Sequence, residues 1–222
     1  MFVRWGRTVC PSTATLVYAG QAASGSSTNT GSGATMLCLP PIPQYTPGQY
    51  NEAGSSQEGY LYRSEYNTAT GGVASMQALH GQEVPCAVCR RASPTAKSLM
   101  VPGQITCPSG FTADFQGYLF APSTGNNRGD YLCMDANAEG VGSSGVENGN
   151  RLSPVEVGTG SAAPEYYSQG YEVACVHCGS SAAGSVYTRL DVCPCPIAYV
   201  PNSDVRFFIG INVCRTCVYV RI

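Results

Sequence analysis

The sequence predicts an all-β, disulfide-rich fold, and three observations predict it. Short runs rich in β-branched and aromatic residues recur between clusters of Gly, Pro, Asn and Ser. Twelve cysteines are spread over the whole of a 222-residue chain. Those cysteines also fall in an order that repeats.

The repeat is read directly from the residues. Cys10-Pro11-Ser12 and, further on, Tyr18-Ala19-Gly20 align without a gap to Cys107-Pro108-Ser109 and Phe115-Gln116-Gly117. A Leu-Cys pair follows each, Leu37-Cys38 and Leu132-Cys133. A C-x-x-C closes each, Cys86 to Cys89 and Cys175 to Cys178. A shortened third copy follows, with Cys193-Pro194-Cys195 and then Cys214 to Cys217. The chain therefore divides into a first β repeat at 1–97, a second at 98–180, and a third cysteine-rich unit at 181–222 that packs on the others or on a neighbouring subunit. The two full units should superpose around their cysteine landmarks within one continuous body.

In chain order, strands are predicted at 15–19 (Thr-Leu-Val-Tyr-Ala), 36–39 (Met-Leu-Cys-Leu), 59–63, which carries Tyr60 and Tyr62, and 84–90, which carries the first C-x-x-C. A short helix is expected around 73–79. The second unit supplies 118–121 (Tyr-Leu-Phe-Ala) and 171–177, and the third supplies 186–190, 205–209 and 217–222. Between them, 20–35, 123–130, 140–150 and 158–163 are built of small and polar residues and are expected as surface loops or hairpin ends. No N-x-S/T sequon occurs.

Composition narrows the class. Hydrophobic residues make up 43 % and charged residues 12 %, too apolar and too weakly charged for a disordered chain. The net charge of −2 leaves no basic excess to neutralise phosphates, so nucleic acid is not an expected partner. Gly and Pro are frequent but follow no Gly-x-y period. No run of 18 apolar residues is present to span a membrane. So many cysteines fit an oxidising compartment, and the expectation is a secreted, extracellular protein read without its leader.

The string Arg4-Trp5-Gly6-Arg7-Thr8-Val9-Cys10-Pro11 resembles the opening of the C-terminal non-collagenous domain of the short-chain, spongin-type collagens of aquatic invertebrates. Leu37-Cys38-Leu39-Pro40, Val84-Pro85-Cys86-Ala87-Val88-Cys89, Thr106-Cys107-Pro108-Ser109-Gly110 and Cys133-Met134-Asp135-Ala136-Asn137-Ala138-Glu139 extend the likeness over roughly residues 2–178. The chain departs from that pattern in continuing through 179–222 and in lacking a further C-P-C-P-P-type segment within 152–170. The resemblance implies an extracellular matrix-type module and carries over no binding residues.

All twelve cysteines (Cys10, Cys38, Cys86, Cys89, Cys107, Cys133, Cys175, Cys178, Cys193, Cys195, Cys214 and Cys217) are expected in disulfides rather than on zinc, because the C-x-x-C pairs are far apart and strand-like. The expected scheme is internal to each unit. The C-P cysteine and the middle cysteine each take one member of the C-x-x-C, each bond contributing roughly 3–4 kcal/mol by loop closure.

Asp135, Asn137 and Glu139 spell the start of a calcium loop, D-x-N-x-acid-G. The position where an EF-hand places its bidentate Glu is Val146, so calcium is the one cofactor considered and solvent-facing acids the plain alternative. Arg128, Gly129 and Asp130 form an integrin-type tripeptide, weighed against a hairpin turn entering the next strand. The two histidines, His80 and His177, belong to no catalytic motif, and no enzyme is expected. Tyrosines concentrate at 45–66 and at Tyr166, Tyr167 and Tyr171, which suits core packing, interfaces or sugar stacking. The expected function is a disulfide-stapled structural module that self-associates as a homo-oligomer or polymer, with matrix protein or glycan as further partners. The alternative is a secreted lectin using Tyr-rich and polar loops.

Overall fold

A computed structural model of the chain describes residues 1–28, 30–45, 59–69, 72–93, 96–142, 149–158 and 167–180, together with the backbone of three later strands. The first unit holds β1 (Phe2–Trp5), β2 (Ala14–Ser24), β3 (Leu37–Leu39), β4 (Tyr62–Tyr66), a 3₁₀ helix (Ala74–Leu79) and β5 (Pro85–Arg91). The second holds β6 (Lys97–Pro102), β7 (Thr112–Pro122), β8 (Leu132–Asp135), β9 (Asn150–Pro154) and β10 (Ala174–Ser180). The fold is all-β, as the sequence predicts, and the helix falls where it is expected.

The two units pair their strands alike. β5 lies between β1 and β2, and β10 lies between β6 and β7, all antiparallel. β2 also carries β3 and β4, as β7 carries β8 and β9. Even the irregularities match. β2 bulges at Val17, between Leu16 opposite Cys89 and Tyr18 opposite Val88. β7 bulges at Asp114, between Ala113 opposite Cys178 and Phe115 opposite His177. Gly20 and Gly117 are aligned for a shared reason. A Cβ at Gly20 would run into the carbonyl of Leu39, and one at Gly117 into the carbonyl of Met134, where the middle strand crosses.

Two parallel contacts join the units into one sheet. β1 meets β8 at Trp5 and Met134, and β4 runs beside β9. The pairings then close on themselves in the order β7-β8-β1-β5-β2-β4-β9 and back to β7, a seven-stranded barrel, with β6 and β10 continuing the sheet from β7. The barrel interior is filled from both units by Trp5, Tyr66, Phe120, Met134 and Leu152, closed from below by Val73 and Met76 of the 3₁₀ segment. A second apolar cluster of Phe2, Ala87, Phe115 and Leu119 lies around Cys89, Cys133 and Cys175.

Four disulfides staple this body: Cys10–Cys89, Cys38–Cys86, Cys107–Cys178 and Cys133–Cys175. In both units the C-P cysteine takes the second member of the C-x-x-C and the middle cysteine takes the first. Successive side chains of a strand point to opposite faces. The two cysteines are separated by two residues, so each reaches a different flank of β5 or β10. The bonds close separations of 79, 48, 71 and 42 residues, each worth about 4 kcal/mol in the chain-entropy model. Bonds of this kind persist in oxidising compartments, and no helix among the described residues is long and apolar enough to cross a membrane.

Three expectations need correction. The segment 20–35 is not all surface loop: β2 runs on to Ser24, with Ala22 and Ala23 fully buried. Its small side chains mark close packing of strands, not solvent. β4 starts later than predicted, at Tyr62, and ends in the core at Tyr66. β10 runs from Ala174 to Ser180, later than the predicted 171–177.

Beyond residue 184, β11 (Ser185–Arg189), β12 (Asp204–Phe208) and β13 (Cys217–Arg221) form a separate three-stranded antiparallel sheet in the order β11-β13-β12. That order places the closing strand between the first and second strands, as β5 lies between β1 and β2. The expected bonding of Cys193, Cys195, Cys214 and Cys217 lies outside the described residues.

Candidate functional site

The most elaborate side-chain arrangement sits where the first unit covers the second. It is organised by the bulge at Asp114, since a bulge re-aims the side chain it carries. The Asp114 carboxylate accepts hydrogen bonds from Thr13 Oγ1 at 2.7 Å and from Arg91 Nη1 at 2.8 Å. It pairs through its other oxygen with Arg91 Nη2 and with His177 Nδ1, the latter at 2.9 Å. His177 is stacked between two rings, Phe2 at 4.5 Å and Phe115 at 5.2 Å between centroids. Guanidinium groups close the column at both ends, Arg91 at 4.7 Å from the Phe2 ring and Arg4 at 5.7 Å from that of Phe115. Arg4 in turn holds the buried Asp135 through Nε and Nη2 at 2.7 and 2.6 Å.

The electrostatics follow from the contacts. Burial pushes the Asp114 carboxyl up, but hydrogen bonds from His177, Arg91 and Thr13 outweigh it and hold the group at about 2. Asp114 is therefore a fixed carboxylate at neutral pH. Glu139 is also held below the ordinary carboxylate range. Burial opposes this, but hydrogen bonds from the Thr8 hydroxyl and backbone N–H prevail. These groups bind one unit to the other: Phe2, Arg4, Thr8, Thr13 and Arg91 come from the first, and Asp114, Phe115, Asp135, Glu139 and His177 from the second.

Sequence reasoning missed this cluster, although the alignment carried a signal. Asp114 stands where the first unit has Val17, and His177 where it has Val88. An acid and a histidine at adjacent cross-strand positions, both replacing valine, mark a place where the second unit meets something the first does not.

The proposed calcium residues are brought near one another but spent otherwise. Asp135 pairs with Arg4 and accepts the Asn137 backbone N–H at 2.8 Å, closing a turn. Glu139 is taken by Thr8, and the Asn137 carbonyl accepts from Arg7 at 2.8 Å. Among the described residues no group of three His, Cys, Asp or Glu is placed to hold a metal ion. The Arg-Gly-Asp tripeptide is no free loop tip: Asp130 accepts the Met36 backbone N–H at 2.9 Å, while Arg128 is exposed. It leads into β8, as the hairpin reading expects. His80 accepts the Thr68 and Ala69 backbone N–H groups, both at 3.1 Å, and so shapes a turn. Of the tyrosines, Tyr66 is buried and donates to the Glu139 carbonyl at 2.9 Å, whereas Tyr60, Tyr131 and Tyr171 are exposed. Tyr166 lies outside the described residues. No family model matches this chain.

Proposed function

We propose that the chain is an extracellular, disulfide-stapled structural module of matrix type that associates with copies of itself. One observation carries the reading. The surface that the first unit covers on the second is duplicated on the first unit and left open there. Leu132 of β8 is 6 % exposed in the barrel core filled from both units, whereas its counterpart Leu37 of β3 is 47 % exposed. The Asp114 side chain is 1 % exposed under Thr13 and Arg91, whereas its counterpart Val17 is 51 % exposed. Where the covered copy is charged, the open copy is apolar. Exposed apolar residues repeated at the positions of an internal joint suit a further subunit better than water. The likeness to spongin-type collagen domains adds to this reading.

The test is sedimentation or light scattering on the whole chain at micromolar concentrations. The wild type should be larger than one chain, and Val17→Asp with Leu37→Asp should shift it toward the monomer. Val17→Asp is a mild change for the fold, because Val17 is exposed. A wild type that stays monomeric would sink the proposal.

A further inference from the structure

Two polar loops, one from each unit, and the start of β9 enclose a cleft apart from the Asp114 cluster. Its walls are the loop after β2, from Ser24 to Ala34, and the loop at Asn127, Arg128 and Gly129, with Asn150 also lining it. Its volume is about 180 Å³. The walls are fixed to each other by hydrogen bonds from the Asn127 backbone to the Ser27 carbonyl at 3.0 Å and from the Asn127 amide to the Ser26 carbonyl at 3.3 Å. The bond from the Met36 N–H to Asp130 holds the second loop from below.

Four features set this cleft apart from an ordinary gap between loops. Asn150 is 4 % exposed, and its Nδ2 is held by Ser64 at 3.1 Å and by the Met36 sulfur at 3.2 Å. Ser32, at the lip, holds a left-handed backbone with φ of 76°, a conformation that non-glycine residues rarely adopt without local compensation. Its hydroxyl accepts the Tyr60 backbone N–H at 2.7 Å, which ties the start of the segment leading into β4 to the lip. Gly31 and Gly33 line the cleft, and a Cβ on either would meet no protein atom within 4 Å.

Hydroxyls, peptide carbonyls and a carboxamide around a small open cleft are the groups that recognise the hydroxyls of a sugar. Arg128 adds a guanidinium that is exposed and has no ion pair among the described residues. We propose that this cleft binds a saccharide bearing a carboxylate, with Arg128 on the acid and the serine and threonine hydroxyls and Asn150 on the ring hydroxyls. The Arg-Gly of the Arg-Gly-Asp tripeptide then serves the cleft, while its Asp supports the loop.

The experiment is saturation-transfer NMR on the full chain with glucuronic acid and, in parallel, methyl glucoside. Glucuronic acid should receive transfer and bind more strongly than the neutral sugar. Arg128→Ala should weaken it about tenfold, the loss of one charge-assisted contact. Gly33→Val should abolish transfer while leaving the amide spectrum elsewhere unchanged. Arg128 is exposed, so its variant stays folded and the test stands even if Gly33→Val does not fold. Absence of transfer to glucuronic acid, or transfer that Arg128→Ala leaves unchanged, overturns the proposal.

Discussion

Asp114 is the residue on which the joint turns, and its chemistry can be tested by pH. Its carboxyl is held at about 2 against an ordinary 3.8. A carboxyl whose pKa is lowered by folding stabilises the native state above its unfolded value and loses that contribution as pH falls through the folded one. The contribution is about 2 kcal/mol at neutral pH, and it should disappear between pH 3.8 and about 2. Asp114→Asn removes that slope from the acid limb of the stability curve. At pH 7 it also leaves the buried Arg91 guanidinium without its anion, at a cost of about 3–5 kcal/mol. Urea unfolding at stepped pH measures both effects. If the variant and the wild type lose stability in parallel below pH 4, another carboxylate governs the acid limb.

At the scale of elements, the closest contact in each unit is the crossing of the long second strand by the middle strand, and glycine makes it possible. Gly117 has the Met134 carbonyl where a Cβ would be. Gly117→Ala forces β7 and β8 apart beside the Cys133–Cys175 bond and should cost about 2–3 kcal/mol. Gly20→Ala should cost a similar amount at β3. Thermal or urea unfolding checks both, and an alanine tolerated at either position would show that the crossing can relax. The sequence made β2, β3 and β5 legible, because Thr15 to Tyr18 form a β-branched and aromatic run and the Leu-Cys pair and the C-x-x-C mark the other two. It concealed β6 and β9, whose Lys-Ser-Leu-Met-Val-Pro and Asn-Arg-Leu-Ser-Pro show little alternation and are strands because β10 and β7 supply their partners. It misread the end of β2 for the converse reason, since alanine and serine suit a buried crossing as well as a loop. The cleft was half legible: its polar loops were visible, but nothing local placed Arg128 and Asn150 beside Ser32.

At the scale of the whole molecule, the ten-stranded sheet is built from two alike sets of strand pairings, and the sheet beyond residue 184 keeps part of their strand order. The first two copies share a sheet through β1 with β8 and β4 with β9, over an apolar barrel core filled from both and beside the charged Asp114 cluster. The third keeps the order of first, closing and second strand but pairs only within itself among the described residues. Removing 185–222 therefore deletes no strand pairing from the ten-stranded sheet and none of the four disulfides described. A sheet of three short strands is at the lower limit of what stands alone, so this one needs either the body of its own chain or that of a neighbour. The exposed apolar side chains of the first unit, Val17 and Leu37, are the places where we propose that a neighbour docks. Deletion of 185–222 should then yield a soluble protein with the same four disulfides and a smaller mass in light scattering. A truncated chain that assembles as fully as the whole would exclude the third unit from the contact. One that no longer folds would make that unit part of the core.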